Sequence, residues 1–354
     1  MVDRLERSWT GFLPQFSESV SVVERQPMQP LRFAILGCGR MGRHHSERLR
    51  EDGRGEVVAL LDVLPEMALR LQQDLWPRSR LYKNVTELMC SDTIDAAILC
   101  TPTAEHFTQA SQCLDRGWHV LCEKPLASNR DQILGLIGRV EKARARNIVF
   151  SLGYQRRHAA IYKTLRREVL SGAWGNVRAV VSHNVENWQP TIGGTWRDDP
   201  DQNFGGFLID AGSHKLDSIF YVTGLDPVEA FARSQTWGSR VEIVTSATAL
   251  LTNEVTLTLD FIGNAQYLGE DLGIHCEHAD LLVRHGELWL GHEGCLKRLD
   301  INQPESNPVT SLLDSILNGA PVISPPSAAL PVFDLTQAIL RSAQSQTSVA
   351  IADL

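Results

Sequence analysis

The sequence predicts an α/β protein in two parts: an N-terminal doubly wound parallel sheet of Rossmann type, then a C-terminal α+β domain with a large, open, mostly antiparallel sheet. Three observations carry this expectation. From Leu31 onward short apolar runs alternate with helical stretches of about 10–12 residues, the pattern of a parallel sheet covered on both faces. A glycine-spaced turn joins the first apolar run to the first helical stretch. Beyond residue 170 the alternation gives way to β-rich runs with few helices between them.

With 354 residues and a prior of about 150 per domain, two domains are expected. They are placed at 31–150 and 151–354, behind an extension over 1–30 that ends in the turn-forming Gln26, Pro27, Gln29 and Pro30. In the first domain strands are expected at 32–36, 56–61, 96–100, 119–122 and 148–152. Helices fill the intervals at 41–52, 65–75, 86–90, 105–116 and 131–147. In the second, a helix at 159–170 precedes strands at 177–183, 228–236, 242–251, 255–261 and 281–283. Its remaining helices are expected at 206–222, 309–318 and 330–345.

Composition narrows the function. Hydrophobic residues at 43% and charged residues at 21%, with 26 Gly and 16 Pro, fit an ordinary globular chain and neither a disordered nor a fibrous one. The net charge of −8 leaves no basic surplus for phosphate backbones or anionic membranes, so nucleic acid and membrane partners are not expected. No run approaches the ~20 apolar residues of a membrane span. The first thirty residues mix Asp3, Arg4, Glu6 and Arg7 with isolated Trp9, Phe12, Leu13 and Phe16, unlike the continuous apolar centre of a signal peptide. The cysteines at 38, 90, 100, 113, 122, 276 and 295 are odd in number and scattered, with no CxxC pair. They read as reduced thiols of a cytoplasmic protein.

Gly37-Cys38-Gly39-Arg40-Met41-Gly42 follows the first strand and opens the first helix, the context in which a GxGxxG string becomes a dinucleotide fingerprint. Gly37 permits the tight turn and Gly39 lets the backbone approach a pyrophosphate. Gly42 allows close helix-to-strand packing, and the helix N-terminus at Arg40 and Met41 faces the negative charge. Asp62 ends the second strand, where a carboxylate accepts hydrogen bonds from ribose hydroxyls and repels a 2′-phosphate. No arginine immediately follows it, so NAD is expected over NADP. Thr101-Pro102 closes another strand at the sheet's carboxyl edge, where ligands of such sheets sit. Pro102 and His106 read equally as the nicotinamide side of the site or as a turn proline and an ordinary helix-start histidine.

Glu123-Lys124-Pro125 closes the strand at 119–122 on the same edge, which puts Glu123 and Lys124 in the crevice. An ammonium there donates to a substrate oxygen and stabilises the charge that develops as a hydroxyl loses its proton. The competing reading is a solvated pair before a proline. Further on, Asp210, His214 and Asp217 fall at i, i+4 and i+7 and are expected on one helix face. Histidine exchanges protons near neutral pH and a neighbouring carboxylate orients it, so an acid/base dyad is expected. An exposed Asp/His stripe and a metal site compete with it, but no third ligand is advertised nearby and no metal is expected.

With these residues in place, the chain from Leu31 to the C-terminus resembles the Gfo/Idh/MocA family of glucose–fructose oxidoreductase, inositol dehydrogenase and rhizopine-catabolism proteins. The resemblance rests on an ordered set: the Gly37/Gly39/Gly42 loop, Thr101-Pro102 with His106, Glu123-Lys124-Pro125, Gly153-Tyr154-Gln155-Arg156-Arg157, Trp196-Arg197 and the Gly205–Asp217 segment. The family's three glycines before the catalytic helix read Phe204-Gly205-Gly206 here. The resemblance implies a catalytic trio of Lys124, Asp210 and His214, in which His214 takes a proton from a secondary alcohol, Lys124 steadies the oxygen and Asp210 orients His214. It also implies homodimers or homotetramers through the C-terminal sheet.

Tyr154, Arg156, Trp188, Trp196 and Arg197, with Asp210 and His214, are the candidates for the substrate side, since rings and guanidinium forks suit a hydroxyl-rich ring. Against this, tryptophan often serves as partly buried packing, and Arg197 beside Asp198 and Asp199 suits a surface ion pair. The expected activity is an NAD-dependent dehydrogenase of a sugar, cyclic polyol or sugar derivative. A redox-neutral glycosidase-like enzyme with retained NAD, and a non-catalytic NAD-responsive regulator, are the alternatives of the same fold.

Overall fold

The structure is a computed structural model and describes residues 29–354 apart from Asp92, Gln202, Phe204 and the side chain of Trp196. The extension expected over 1–30 lies outside the described residues but for Gln29 and Pro30.

The first sheet is built from β1 (Leu31–Leu36), β2 (Gly55–Leu61), β3 (Arg80–Tyr82), β4 (Ala96–Leu99), β5 (His119–Cys122) and β6 (Phe150–Leu152). All pair in parallel, in the order β3-β2-β1-β4-β5-β6. The helices are α1 (Arg40–Asp52), α2 (Pro65–Leu75), α3 (Val85–Met89), α4 (Thr103–Asp115) and α5 (Arg130–Arg144). Phe33–Leu36 of β1 and all of β4 are fully buried, as central strands covered on both faces must be. Strand order reverses at β1, so a crevice opens beyond the carboxyl ends of β1 and β4. Arg32 fastens the opposite end, where its backbone N–H and guanidinium both donate to Asp95 ahead of β4.

The second half contains α6 (Ala160–Leu170), β7 (Val177–Asn187), α7 (Gln189–Ile192), α8 (Gly206–Asp210), α9 (Gly212–Thr223), β8 (Pro227–Gln235) and β9 (Val244–Leu251). It continues with β10 (Val255–Ile262), β11 (Asn264–Cys276), β12 (Asp280–Arg284), β13 (Glu287–His292) and β14 (Cys295–Arg298). The chain closes with α10 (Pro308–Asn318), α11 (Ala329–Ser345) and β15 (Val349–Ala350). The nine strands run β14-β13-β12-β11-β7-β10-β9-β8-β15, and every pair is antiparallel except β7 with β10. In β8–β10 small and branched residues such as Ala230, Ala247, Ala249, Leu257 and Leu259 point inward to a core shared with Leu216 and Ile219 of α9 and Leu335 and Ile339 of α11. Their alternate positions, including Ser246, Thr248, Thr256 and Thr258, are exposed, so the other face of the sheet is open.

Two features differ from the sequence reading in ways that matter for the site. The helix expected over 206–222 is interrupted at Ala211, giving the short α8 and the longer α9. The late helix α10 turns back to the first domain: Val309, Leu312 and Leu313 are fully buried in one cluster with Phe33, Ile35 and Leu60. Arg54 to Asp314 at 2.6 Å and Thr310 to Asp52 at 2.9 Å fix it there. The first sheet is therefore covered partly by chain from beyond residue 300.

Candidate active site

The glycine loop is shaped as the spacing requires. Gly37 stands at φ +89°, and an added Cβ would lie 2.5 Å from the Cys100 carbonyl oxygen; one on Gly42 would lie 2.0 Å from the Gly37 oxygen. The loop can thus pass between β1, the end of β4 and α1 only without side chains. A Cβ on Gly39, by contrast, meets nothing within 4 Å, so the loop leaves open space just where the helix begins. That helix has no side-chain cap and no acidic residue in its first turn, whereas α3, α5 and α10 are capped by Asn84, Asn129 and Asn307. Uncapped N–H donors, a positive dipole end and a void fit the pyrophosphate of a dinucleotide.

Asp62 lies at the end of β2, where its carboxylate accepts from the Cys38 N–H at 2.6 Å and the Leu64 N–H at 2.9 Å. It shapes the loop, and a carboxylate retains lone pairs for ribose hydroxyls. Arg40 and Pro102 are exposed, while Met41 and Thr101 are partly buried. The Thr101 hydroxyl donates to Gln109 at 2.7 Å. His106 is buried, with its ring nitrogens 2.7 Å from the Pro125 carbonyl and 2.8 Å from the Thr101 carbonyl. These bonds make it a clasp between the ends of β4 and β5.

Glu123 is also buried. Its carboxylate meets the His45 Nε2 at 2.7 Å and accepts the Lys124 N–H at 3.1 Å. Burial pushes the Glu123 carboxyl up, but His45 and Lys124 outweigh it and hold it below the usual range. This pair ties α1 to the end of β5. The only sequence signal for His45 is a histidine one turn into the helix behind the glycine loop, and no motif names it.

Lys124 projects from the end of β5 to the junction of α8 and α9. Its Nζ donates to the Asp210 carbonyl at 2.7 Å and lies 3.7 Å from the Asp210 carboxylate. That carboxylate accepts from Arg197 Nε at 2.8 Å and from the Trp188 indole at 3.3 Å. Burial raises the Asp210 carboxyl, but the charges of Lys124 and Arg197 prevail and hold it low.

His214 takes no part in this network: its buried Nδ1 has no hydrogen-bond partner, and its ring meets Tyr154 edge-on at 6.3 Å. Burial pushes its proton affinity well below the ordinary value, and Lys124, Arg156 and Lys215 add to the effect. The imidazole is therefore neutral at neutral pH.

Neither Asp210 nor Asp217 is hydrogen-bonded to His214. The Asp210 carboxylate is drawn to Lys124, Arg197 and Trp188. Asp217 has 0% exposure and accepts from the Arg157 guanidinium at 2.7–3.0 Å.

Among the expected substrate residues, Tyr154 is buried as a wall for His214. Trp188 is buried against Phe207, with ring centroids 5.4 Å apart, and offers only its N–H to Asp210. Trp196 has its side chain outside the described residues. Arg156 donates to Glu270 of β11 and to the Tyr162 hydroxyl, and Lys215 donates to the same Glu270 at 2.7 Å. Sequence reasoning missed Glu270 because β11 was not recognised as a strand. No group of His, Cys, Asp or Glu suited to a metal occurs among the described residues.

A doubly wound domain with an open pyrophosphate cradle and a lysine at its crevice, to which a second domain brings a neutral histidine, defines a two-domain dinucleotide-binding protein. Residues 31–151 match the model of an oxidoreductase family with an NAD-binding Rossmann fold, and residues 162–282 match the GFO/IDH/MocA C-terminal domain. The chain belongs to the Gfo/Idh/MocA oxidoreductase family.

Myo-inositol 2-dehydrogenase of Thermotoga maritima is 26% identical over 202 residues, which are 57% of this chain and 58% of that relative. The chain thus matches little more than half the relative's length. An oxidoreductase domain protein from Kribbella flavida shares the fold at a TM-score of 0.83 and 21% identity, over 92% of this chain and all of that one. So does an oxidoreductase from Agrobacterium radiobacter, solved in complex with NAD+, L-tartaric acid and magnesium, at 0.79 and 18%, over 92% and 99% of the two chains.

Proposed function

We propose that the protein is an NAD-dependent dehydrogenase oxidising a secondary alcohol of a sugar, cyclic polyol or sugar derivative. The observation that carries this reading is the meeting of Lys124 with the α8–α9 junction, which sets an ammonium and a neutral imidazole together at the crevice. Gly37, Gly39, Arg40, Met41, Gly42 and Asp62 would hold the dinucleotide, with Thr101, Pro102, Glu123 and Lys124 along the crevice. Bound there, NAD supplies the hydride acceptor.

The chain's own residues do the rest. His214, neutral in its buried setting, accepts the proton of the substrate hydroxyl. Lys124 donates a hydrogen bond to that oxygen as charge develops on it. Asp210 positions Lys124 and Arg197 and does not orient His214. NAD is preferred over NADP because the carboxylate of Asp62 repels a 2′-phosphate and the residues after it, Val63 and Leu64, are exposed and uncharged. The unpaired cysteines suit a cytoplasmic setting, and the open sheet face, bearing Val181, Phe231 and Leu250, suits a dimer or tetramer.

The test is NADH formation from inositols, aldoses and amino sugars, with Lys124→Met as control. The variant is expected to keep NAD binding within about threefold and to lose a factor of roughly 10²–10³ in kcat. Undiminished turnover in Lys124→Met refutes the assignment, and retained NAD with no net NADH from any alcohol favours a redox-neutral or regulatory protein.

A further inference from the structure

Beside His214 stands a charge cluster that the proposed reaction does not use. Glu270 projects from β11 and gathers donors from three other elements. Arg156 comes from the 3-10 turn at Gln155–His158, the Tyr162 hydroxyl from α6 at 2.7 Å, and Lys215 Nζ from α9 at 2.7 Å. The net closes on itself, because Arg156 also donates to the Tyr162 oxygen at 2.6 Å with its guanidinium 5.5 Å above the ring. One oxygen of Glu270 thus takes Arg156 and Tyr162 while the other takes Lys215.

An arginine fork and a lysine converging in a partly buried site are what would hold the carboxylate or phosphate of a substrate. Here the protein's own carboxylate stands in that place. The side chains are only 21% exposed at Arg156 and Glu270 and 9% at Lys215, so solvent does little to screen them. The cluster belongs to the acid–base centre: Lys215 is the next residue after His214, and both Arg156 and Lys215 act on the His214 ring. The wider site is balanced as well. Lys124, Arg156, Arg197 and Lys215 are matched by Glu123, Glu186, Asp210 and Glu270, with Glu123 acting on Lys124 and Glu186 on Lys215. Among these described residues an incoming anion would find each cation paired and would meet Glu270 where solvent screens poorly.

We infer that Glu270 is the charge-selecting residue of the site: by occupying Arg156 and Lys215 it admits an uncharged polyhydroxylated substrate and turns away the corresponding sugar carboxylates and sugar phosphates. The inference rests on the proposed dehydrogenase reading for the place of the substrate. It goes beyond that reading in naming the substrate's charge and the residue that sets it.

The test uses the full chain with NAD and matched probes: D-glucose against D-glucuronate for the carboxylate, and myo-inositol against myo-inositol 1-phosphate for the phosphate. Binding is read by calorimetry and turnover as kcat/KM. The wild type is expected to bind at least one neutral probe, and to bind it at least tenfold tighter than its anionic partner. Glu270→Gln, which keeps the shape and removes the charge, is expected to move the anion-to-neutral ratio at least tenfold toward the anion. The anion's binding should then weaken with salt. Lys215→Met removes a cation and leaves Glu270 in place, so its ratio should move at least tenfold the other way.

A wild type that binds neither neutral probe, or binds an anion as well as its neutral partner, overturns the inference. So does an unmoved ratio in Glu270→Gln, or in Lys215→Met if Glu270→Gln does not fold. Expected shifts in binding without NADH from any probe would leave charge selection standing and remove hydride transfer. NADH from a neutral polyol with unmoved ratios would do the reverse.

Discussion

Glu242 lies in the link between β8 and β9, is buried, and governs the start of α8. Its carboxylate accepts the Leu208 N–H at 2.9 Å and the Thr245 hydroxyl at 2.7 Å, and its own carbonyl accepts the Phe207 N–H at 3.0 Å. Burial pushes this carboxyl from 4.5 up to about 7, against the opposing pull of Thr245 and the backbone donors. At ~1.4 kcal/mol per pH unit, the ionised form costs the folded state roughly 3 kcal/mol.

The sign follows from proton uptake. Between pH 4.5 and about 7 the folded chain keeps a proton that the unfolded chain has lost, so this group's contribution to stability is greatest below 4.5 and falls as pH rises through 7. Glu242→Gln is uncharged throughout and keeps an acceptor for Leu208. Its amide can donate to Thr245, whose hydroxyl has Ser234 as another partner at 2.6 Å. The variant should be more stable than wild type by about 2–3 kcal/mol at pH 8 and within about 1 kcal/mol at pH 5. For a domain of this size that is roughly 4–12 °C in the calorimetric midpoint at pH 8. Equal displacement at both pH values, or a lower midpoint at pH 8, would refute the assignment of a strained, ionised Glu242.

Two further substitutions probe the ends of the site. Asp62→Ala should weaken NAD about tenfold and narrow its advantage over NADP, measured by quenching of protein fluorescence; an unaltered cofactor ratio would place ribose recognition elsewhere. Arg157→Leu leaves the fully buried Asp217 without its guanidinium and should cost about 3–5 kcal/mol in urea unfolding. Arg157→Leu/Asp217→Leu should recover most of that loss, and a double variant no better than the single would show that the pair is not the source.

What was legible in the sequence was whatever is written in local pattern. β1, β4 and β5 are short runs buried on both faces, and the glycine loop needs its residues at fixed offsets, so strands, turn and helix could be placed from spacing alone. β13 and β14 were not placed. Two-residue turns at His285-Gly286, from β12 to β13, and at Glu293-Gly294, from β13 to β14, have φ positive at both residues and are weaker sequence signals than Asn-Gly or Asp-Gly. All of β14 is exposed, so it shows no alternation to read. β11 hides behind a register shift between Asn264 and Gly269, and with it went Glu270.

The site divides on the same line. Lys124, Asp210 and His214 could be nominated because each sits in a contiguous motif, but their partners are set by tertiary packing. Asp210 turns to Arg197 and Trp188, and Asp217 to Arg157, partners on other segments that spacing along the helix does not announce. Sequence spacing nominates the candidate groups, whereas the Arg156 cation and the Glu270 carboxylate that meet beside His214 come from the turn before α6 and from β11. For a site built between two domains, that balance decides which substrate charge can enter, and it lies in contacts more than fifty residues apart.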